Sequence, residues 1–158
     1  MIGFKKVICA TDFSDSSFRA LDYARMLTER FEAELLLVHV VDDPPTAVPP
    51  VGGAAVDSTI NVTEYQEHLV EHATRRLAGI VADFASAVPA IRSHVAKGRP
   101  SRQIVRLATE EEADLIVIGT HGHNRLHRLV FGSVTEKVVR AAPCPVLTVG
   151  LEESGESG

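Results

Sequence analysis

Five short apolar runs alternate with stretches of helical periodicity, and that alternation constrains the fold more than any other feature of the chain. The runs are residues 4–10 (Phe-Lys-Lys-Val-Ile-Cys-Ala), 34–41 (Glu-Leu-Leu-Leu-Val-His-Val-Val), 90–96, 114–118 and 146–149. Between the first two, Ala20, Leu21, Ala24, Leu27 and Phe31 recur at helical spacing behind Ser14, a residue type suited to capping a helix. Residues 61–87 carry a stripe of Leu69, Ala73, Leu77, Ile80 and Phe84 and read as the longest helix. Gly98 ends the third run; Pro100 and Ser101 then open a helix bearing Ile104, Leu107 and Ala108. A last helix, from about residue 134 to 141, precedes the fifth run. Strands that alternate with helices build a parallel sheet. Right-handed crossovers put helices on both of its faces. The unbroken apolar run at 34–41 suits a strand covered on both sides, whereas 90–96 alternates as an edge strand does. The expected fold is therefore α/β: a single-domain, doubly wound, five-stranded parallel sheet in the order 3-2-1-4-5. Ligands of such sheets sit beyond the strand C-termini where the winding reverses, here between strand 1, ending at Asp12, and strand 4, ending at Gly119.

The stretch from Leu115 to Val139 fills one side of that crevice. It runs from an apolar strand through Gly119-Thr120-His121-Gly122 and a His- and Arg-rich segment to Gly132-Ser133, and then turns helical. Strand, glycine-punctuated loop and helix start form the physical recipe for holding phosphate. Glycine lets backbone N–H groups approach an anion. The helix start contributes unpaired donors and the positive end of its dipole. Arg125, His127 and Arg128 add positive charge. Two familiar phosphate loops are excluded. A P-loop requires Lys after its last glycine, and Ser133 stands there. The dinucleotide fingerprint Gly-x-Gly-x-x-Gly follows a first strand, and it is absent there.

The spacing Gly-x2-Gly-x9-Gly-Ser at Gly119, Gly122, Gly132 and Ser133, followed by a helix and Ala142-Pro143-Cys144-Pro145-Val146, resembles the universal stress protein family, specifically its ATP-binding branch. The resemblance covers residues 4 to about 150. It implies a Rossmann-like adenine-nucleotide-binding fold, with ATP as ligand and a role as nucleotide switch or sensor in the stress response. It also implies that Val40 reads the adenine edge with its backbone and that Asp12, within Ala10-Thr11-Asp12, lies in the nucleotide site. The expected site comprises Ala10, Thr11, Asp12, Val40, Gly119, Thr120, His121, Gly122, His123, Gly132, Ser133 and Val134. Asp12 also has the chemistry to hold Mg²⁺ beside phosphates. His123 and Asn124 depart from the basic and small residues common in the family at those positions, which bears on affinity.

Each assignment has a plainer competitor. Asp12 is also a common turn residue, and the glycines are also turn formers. Ser133-Val-Thr-Glu136 matches a capping box, in which the hydroxyl satisfies the helix's own N–H groups. The sequence His68-x-x-Glu71-His72 matches an inverted zinc-protease motif, but it falls on the longest helix of a small α/β chain, where a solvated flank fits better. His121, His123 and His127 have no nearby cysteine with which to build a structural zinc site. Residues 42–59, rich in Pro and Gly, form a long loop that is either functional or a tolerated insertion.

A length of 158 residues implies one domain, expected at 1–150, with a disordered tail at 151–158. A net charge of −5 argues against nucleic acid as a partner. No apolar run reaches the roughly 18 residues a membrane helix requires. The N-terminus lacks a signal-peptide core, so a cytoplasmic location is expected. Cys9 and Cys144 lack metal-ligand spacing and read as small buried hydrophobes. The fifth strand, an apolar edge at Val146–Val149, is expected to pair with a second copy in a homodimer. No P-loop lysine or arginine finger is apparent, so ATP binding with at most slow hydrolysis is expected. The rival expectation is a homodimeric interaction module that binds no nucleotide.

Overall fold

The computed structural model describes residues 3–43, 62–121 and 131–151. Gly122, His123, Asn124, Arg125, His127 and Arg128, most of the 42–59 loop, and the tail beyond Leu151 lie outside the described residues. The strands are β1 (Lys6–Ala10), β2 (Glu34–Val41), β3 (Ile91–Lys97), β4 (Leu115–Gly119) and β5 (Val146–Val149). The helices are α1 (Asp15–Phe31), α2 (Val62–Phe84), α3 (Pro100–Glu110) and α4 (Ser133–Ala141). All strand pairs are parallel, and the order β3-β2-β1-β4-β5 is the one the sequence predicts.

The two-residue period of a strand divides the core into two layers. Val7 and Cys9 of β1 point with Leu35, Leu37, Leu115 and Val117 to one face, where Ala20, Leu21 and Ala24 of α1 and Leu77 of α2 cover them. Ile8 and Ala10 point with Leu36, Val38, Ile116 and Ile118 to the other, beneath Ile104 and Leu107 of α3 and Val138 of α4. Leu36 and Ile116 are wholly buried; burial of each such side chain contributes about 1.5–3 kcal/mol. The continuous apolar runs of β1, β2 and β4 thus follow from their positions in the sheet.

Helix ends match the sequence in part. Ser14 caps α1 as expected, its Oγ accepting the Ser17 N–H at 3.3 Å. Pro100 opens α3, where no missing N–H is felt. At α4 the capping box that competes with the phosphate reading of Ser133 does not form: Gly132 is the N-cap, no side chain among the described residues caps the helix, and Ser133 is already inside it and exposed. The stripe on α2 is also shorter than its pattern. Ala73 and Leu77 are buried, but Leu69 is 38 % exposed, so the helix meets the sheet only from Ala73 onward. Cys9 is buried, and burial pushes its thiol up to about 12. Cys144 is only half-buried, against the second layer. Among the described residues, no helix is long and apolar enough to cross a membrane.

Candidate functional site

The winding reverses between β1 and β4, so the chain departs from the C-terminal ends of these neighbours towards opposite faces and leaves a crevice. A cavity of about 370 Å³ occupies it, within the size range of small-molecule sites. Its walls include Ala10, Thr11 and Asp12 from the β1–α1 turn and Val38, His39 and Val40 from β2. Gly119 and His121 follow β4, Gly132 through Thr135 open α4, and Pro100 and Ile104 of α3 complete the apolar side.

The β1–α1 turn is closed by its own side chains. The Asp12 Oδ1 accepts the Ser14 N–H at 3.0 Å and the Ser14 hydroxyl, so the carboxylate shapes the turn that caps α1. The Thr11 hydroxyl bonds Ser17 Oγ at 2.9 Å and accepts the Phe13 N–H at 3.0 Å. That bond helps hold Phe13 at φ 63°, an uncommon conformation for a bulky residue. The Phe13 ring lies against the His39 imidazole, centroids 4.6 Å apart, and the Arg76 guanidinium sits 3.9 Å from its centre. His39 Nδ1 is 2.8 Å from the Thr11 carbonyl. A carbonyl only accepts, so Nδ1 carries the proton. Burial holds His39 below its ordinary value and Arg76 pushes the same way, while the Thr11 carbonyl and Asp12 oppose them.

Across the crevice, Gly119 is a packing requirement. A Cβ there would stand 2.2 Å from Ser16 Oγ and 2.9 Å from its backbone carbon, inside the start of α1. Thr120 does not line the cavity. Its N–H donates to Val149 at 2.9 Å and its carbonyl accepts the Gly132 N–H at 2.8 Å, which fastens β4, β5 and the entry to α4 together. The buried Thr135 hydroxyl donates to the Gly119 carbonyl at 2.8 Å and fixes the helix start against the strand end. The Glu136 N–H reaches Gly132 at 3.0 Å as the first full helical turn. The N–H groups of Ser133, Val134 and Thr135 precede it and receive no side-chain cap from the described residues. Backbone donors and the dipole's positive end thus face the cavity with the glycine-loop residues.

The structure brings Ala10, Thr11, Asp12, Val40, Gly119, His121, Gly132, Ser133 and Val134 to one cavity. The sequence assigned no side-chain role to His39, Ser17, Thr135, Pro100 or Ile104, which also line it. His39 carried a signal, as the one polar residue in the apolar run after Glu34. His68 and His72 are exposed on α2, and no group of three His, Cys, Asp or Glu side chains suited to a metal occurs among the described residues.

A doubly wound parallel sheet with a crevice at its switch point defines the class of open α/β folds. Within that class the chain belongs to the universal stress protein family, whose model matches residues 3–150. Universal stress protein MJ0531 of Methanocaldococcus jannaschii is 34 % identical over 146 residues, spanning 92 % of this chain and 82 % of that protein. The structure of universal stress protein UspA from Lactobacillus plantarum superposes with a TM-score of 0.79 at 28 % identity, covering 94 % of this chain and 99 % of that one. A universal stress protein from Archaeoglobus fulgidus, solved in complex with dAMP, gives a TM-score of 0.57 at 25 % identity, with 94 % and 99 % covered.

Proposed function

We propose that the chain binds an adenine nucleotide, ATP with Mg²⁺, in the switch-point cavity and acts as a regulatory binding protein rather than an efficient hydrolase. The observation that carries this reading is the pairing of two unlike surfaces in one cavity. One is the end of β2, where Val40 offers a backbone donor and acceptor beside the apolar Val38, Ile104 and Pro100. The other is the uncapped start of α4. An apolar slot with one donor–acceptor pair suits a purine edge. A row of helix-start N–H groups suits phosphate. The dAMP complex of the Archaeoglobus relative supports an adenine nucleotide as the ligand class.

Asp12 is the hard-oxygen group at the cavity. Mg²⁺ takes one or two carboxylates together with phosphate oxygens, and that donor set fits Asp12, the one carboxylate among the described lining residues. The ion would neutralise phosphate charge there; Asp12 would supply its protein ligand. The Asp12 Oδ1 is already engaged by Ser14, an arrangement that favours recognition over the base catalysis that turnover requires. The nucleotide-dependent role is that of a stress-response switch or sensor.

Calorimetric titration of MgATP into nucleotide-stripped protein tests the reading. Binding in the micromolar range, about −8 kcal/mol, is expected; no heat up to millimolar ATP overturns it. β5 hydrogen-bonds only to β4 within the sheet, and its other edge supports a homodimer closed by a second copy. Light scattering at high micromolar concentration is expected to give twice the chain mass, and a monomer there refutes the interface.

A further inference from the structure

The β1–β2 ladder stops earlier than its residues require. Even-numbered residues of β2 face β1: the Glu34 N–H donates to Lys5, and the Val38 carbonyl accepts from the Thr11 N–H at 2.8 Å. Odd-numbered residues face β3, as the Gly98 N–H bonded to the Val41 carbonyl shows. Continued by the same rule, the next two rungs join the Val40 N–H to the Thr11 carbonyl and the Phe13 N–H to the Val40 carbonyl. Neither forms. The Thr11 carbonyl is taken by His39 Nδ1–H at 2.8 Å, and the Phe13 N–H by Thr11 Oγ1 at 3.0 Å. Among the described residues, nothing bonds the Val40 N–H or carbonyl, and Val40 lines the cavity.

We infer that His39 is a positioning residue that keeps the Val40 N–H unpaired for the ligand, by capping the Thr11 carbonyl in place of the first of the two missing rungs. The inference rests on the adenine-nucleotide reading for its ligand, not for its geometry. His39 touches no ligand in this role. Its ring is held by Phe13, which Arg76 covers from α2, so the cap is built from three segments distant in sequence. An unsatisfied backbone pair is costly where water is excluded. The crevice is where a purine, with an adjacent donor and acceptor on its edge, restores both bonds.

Two readouts test this. The first requires no ligand: amide hydrogen exchange at Val40. In the wild-type protein Val40 is expected to exchange far faster than Leu36 and Val38. In His39→Phe, which keeps an aromatic ring against Phe13 but lacks the donor, Val40 N–H is expected to bond Thr11 and become protected. General loosening of the fold moves exchange in the opposite direction. Slow exchange at Val40 in the wild type, or no gain of protection in the variant, overturns the inference. The second readout compares MgATP with tripolyphosphate, which has no base. His39→Phe is expected to bind MgATP about tenfold more weakly, the loss of about one hydrogen bond, with tripolyphosphate affinity unchanged. His39→Asn, whose amide N–H reaches about as far as Nδ1, is expected to restore MgATP binding. Undiminished MgATP binding by His39→Phe, or equal losses for both ligands, overturns the positioning role while the nucleotide reading stands. Wild-type protein that ignores MgATP yet shows the exchange pattern overturns the nucleotide reading alone.

Discussion

The two ends of the sheet are built on opposite rules. At the N-terminal end of the strands, polar groups are paired off. Lys6 bonds Glu111 at 3.2 Å and approaches Glu34 at 3.9 Å, and Arg92 bridges the same two carboxylates, closing a ring across β1, β2, β3 and the residue after α3. The Asp114 carboxylate accepts the N–H groups of Lys5 at 2.8 Å and Lys6 at 2.9 Å, tying the entry of β1 to that of β4. At the C-terminal end, two ladder rungs are diverted into side chains and one helix start is uncapped. The closed end spends its hydrogen bonds on the fold, and the open end withholds them. The difference separates residues that stability needs from residues that the proposed recognition needs, even where both line the same cavity.

Gly119 should break that separation most severely, because it belongs to both sides. Its missing side chain lets α1 lie directly on β4, and the clash is with helix backbone as well as with Ser16 Oγ. Gly119→Val is expected to cost about 3 kcal/mol or more by overpacking, read as a lower urea midpoint. Ser16→Gly in the same chain removes only the hydroxyl contact and should recover only part of the loss, because the Ser16 carbonyl would still stand 3.0 Å from the new Cβ.

Thr135 and Ser133 sharpen the comparison within one helix turn. Thr135→Val leaves the Gly119 carbonyl without its 2.8 Å donor, an expected loss of about 1.5 kcal/mol. Ser133→Ala removes an exposed hydroxyl that caps nothing, and the change in stability should stay within about 0.5 kcal/mol. Equal losses in the two variants' denaturation curves would restore the capping box that the sequence suggests. Gly122 is expected to matter for ligand alone: Gly122→Val should abolish MgATP binding while unfolding stays cooperative, and full-affinity binding would remove that residue from the site.

What the sequence made legible follows from how far each signal reaches. Strands and helices are local patterns, and each run from 4–10 to 146–149 became an element with ends shifted by a few residues at most. The sheet order also follows, since alternation and handedness leave few windings. The candidate site was legible as a crevice lined by Asp12 and the ends of the glycine loop, because topology and spacing pointed to one place, whereas Val40 was expected only from the family resemblance. Missing were contacts between residues far apart in sequence. His39 on Thr11, Arg76 over Phe13 and Ser16 against Gly119 have no local period, and no spacing rule connects 13 with 76. The Ser133 cap failed for a related reason. The capping box is a local pattern, but the Thr120 carbonyl holds the Gly132 N–H and sets the helix start one residue earlier.

Acid should separate the two ends by pH window, with the smallest effect of the set. Burial lowers His39 below its ordinary 6.5, so in the fold it stays neutral where the unfolded chain takes up a proton. Its contribution is intact above about 6.5 and is lost as pH falls through the lowered folded value. At the closed end, the Lys5 and Lys6 N–H groups lower Asp114 from 3.8, and Arg92 lowers Glu111 from 4.5. Those contributions are intact above these ordinary values and are lost only as pH falls further, through the lowered folded ones. Solvent screens groups this exposed, so each loss is expected to be modest. Urea midpoints should therefore fall more between pH 7.5 and 5.5 in the wild type than in His39→Asn, while Asp114→Asn should lie below the wild type by a constant offset across that interval and converge on it only below about pH 4. If the gap between Asp114→Asn and the wild type already changes between pH 7.5 and 5.5, or if His39→Asn loses as much as the wild type there, then the two ends do not titrate apart and the division of labour between them is not electrostatic.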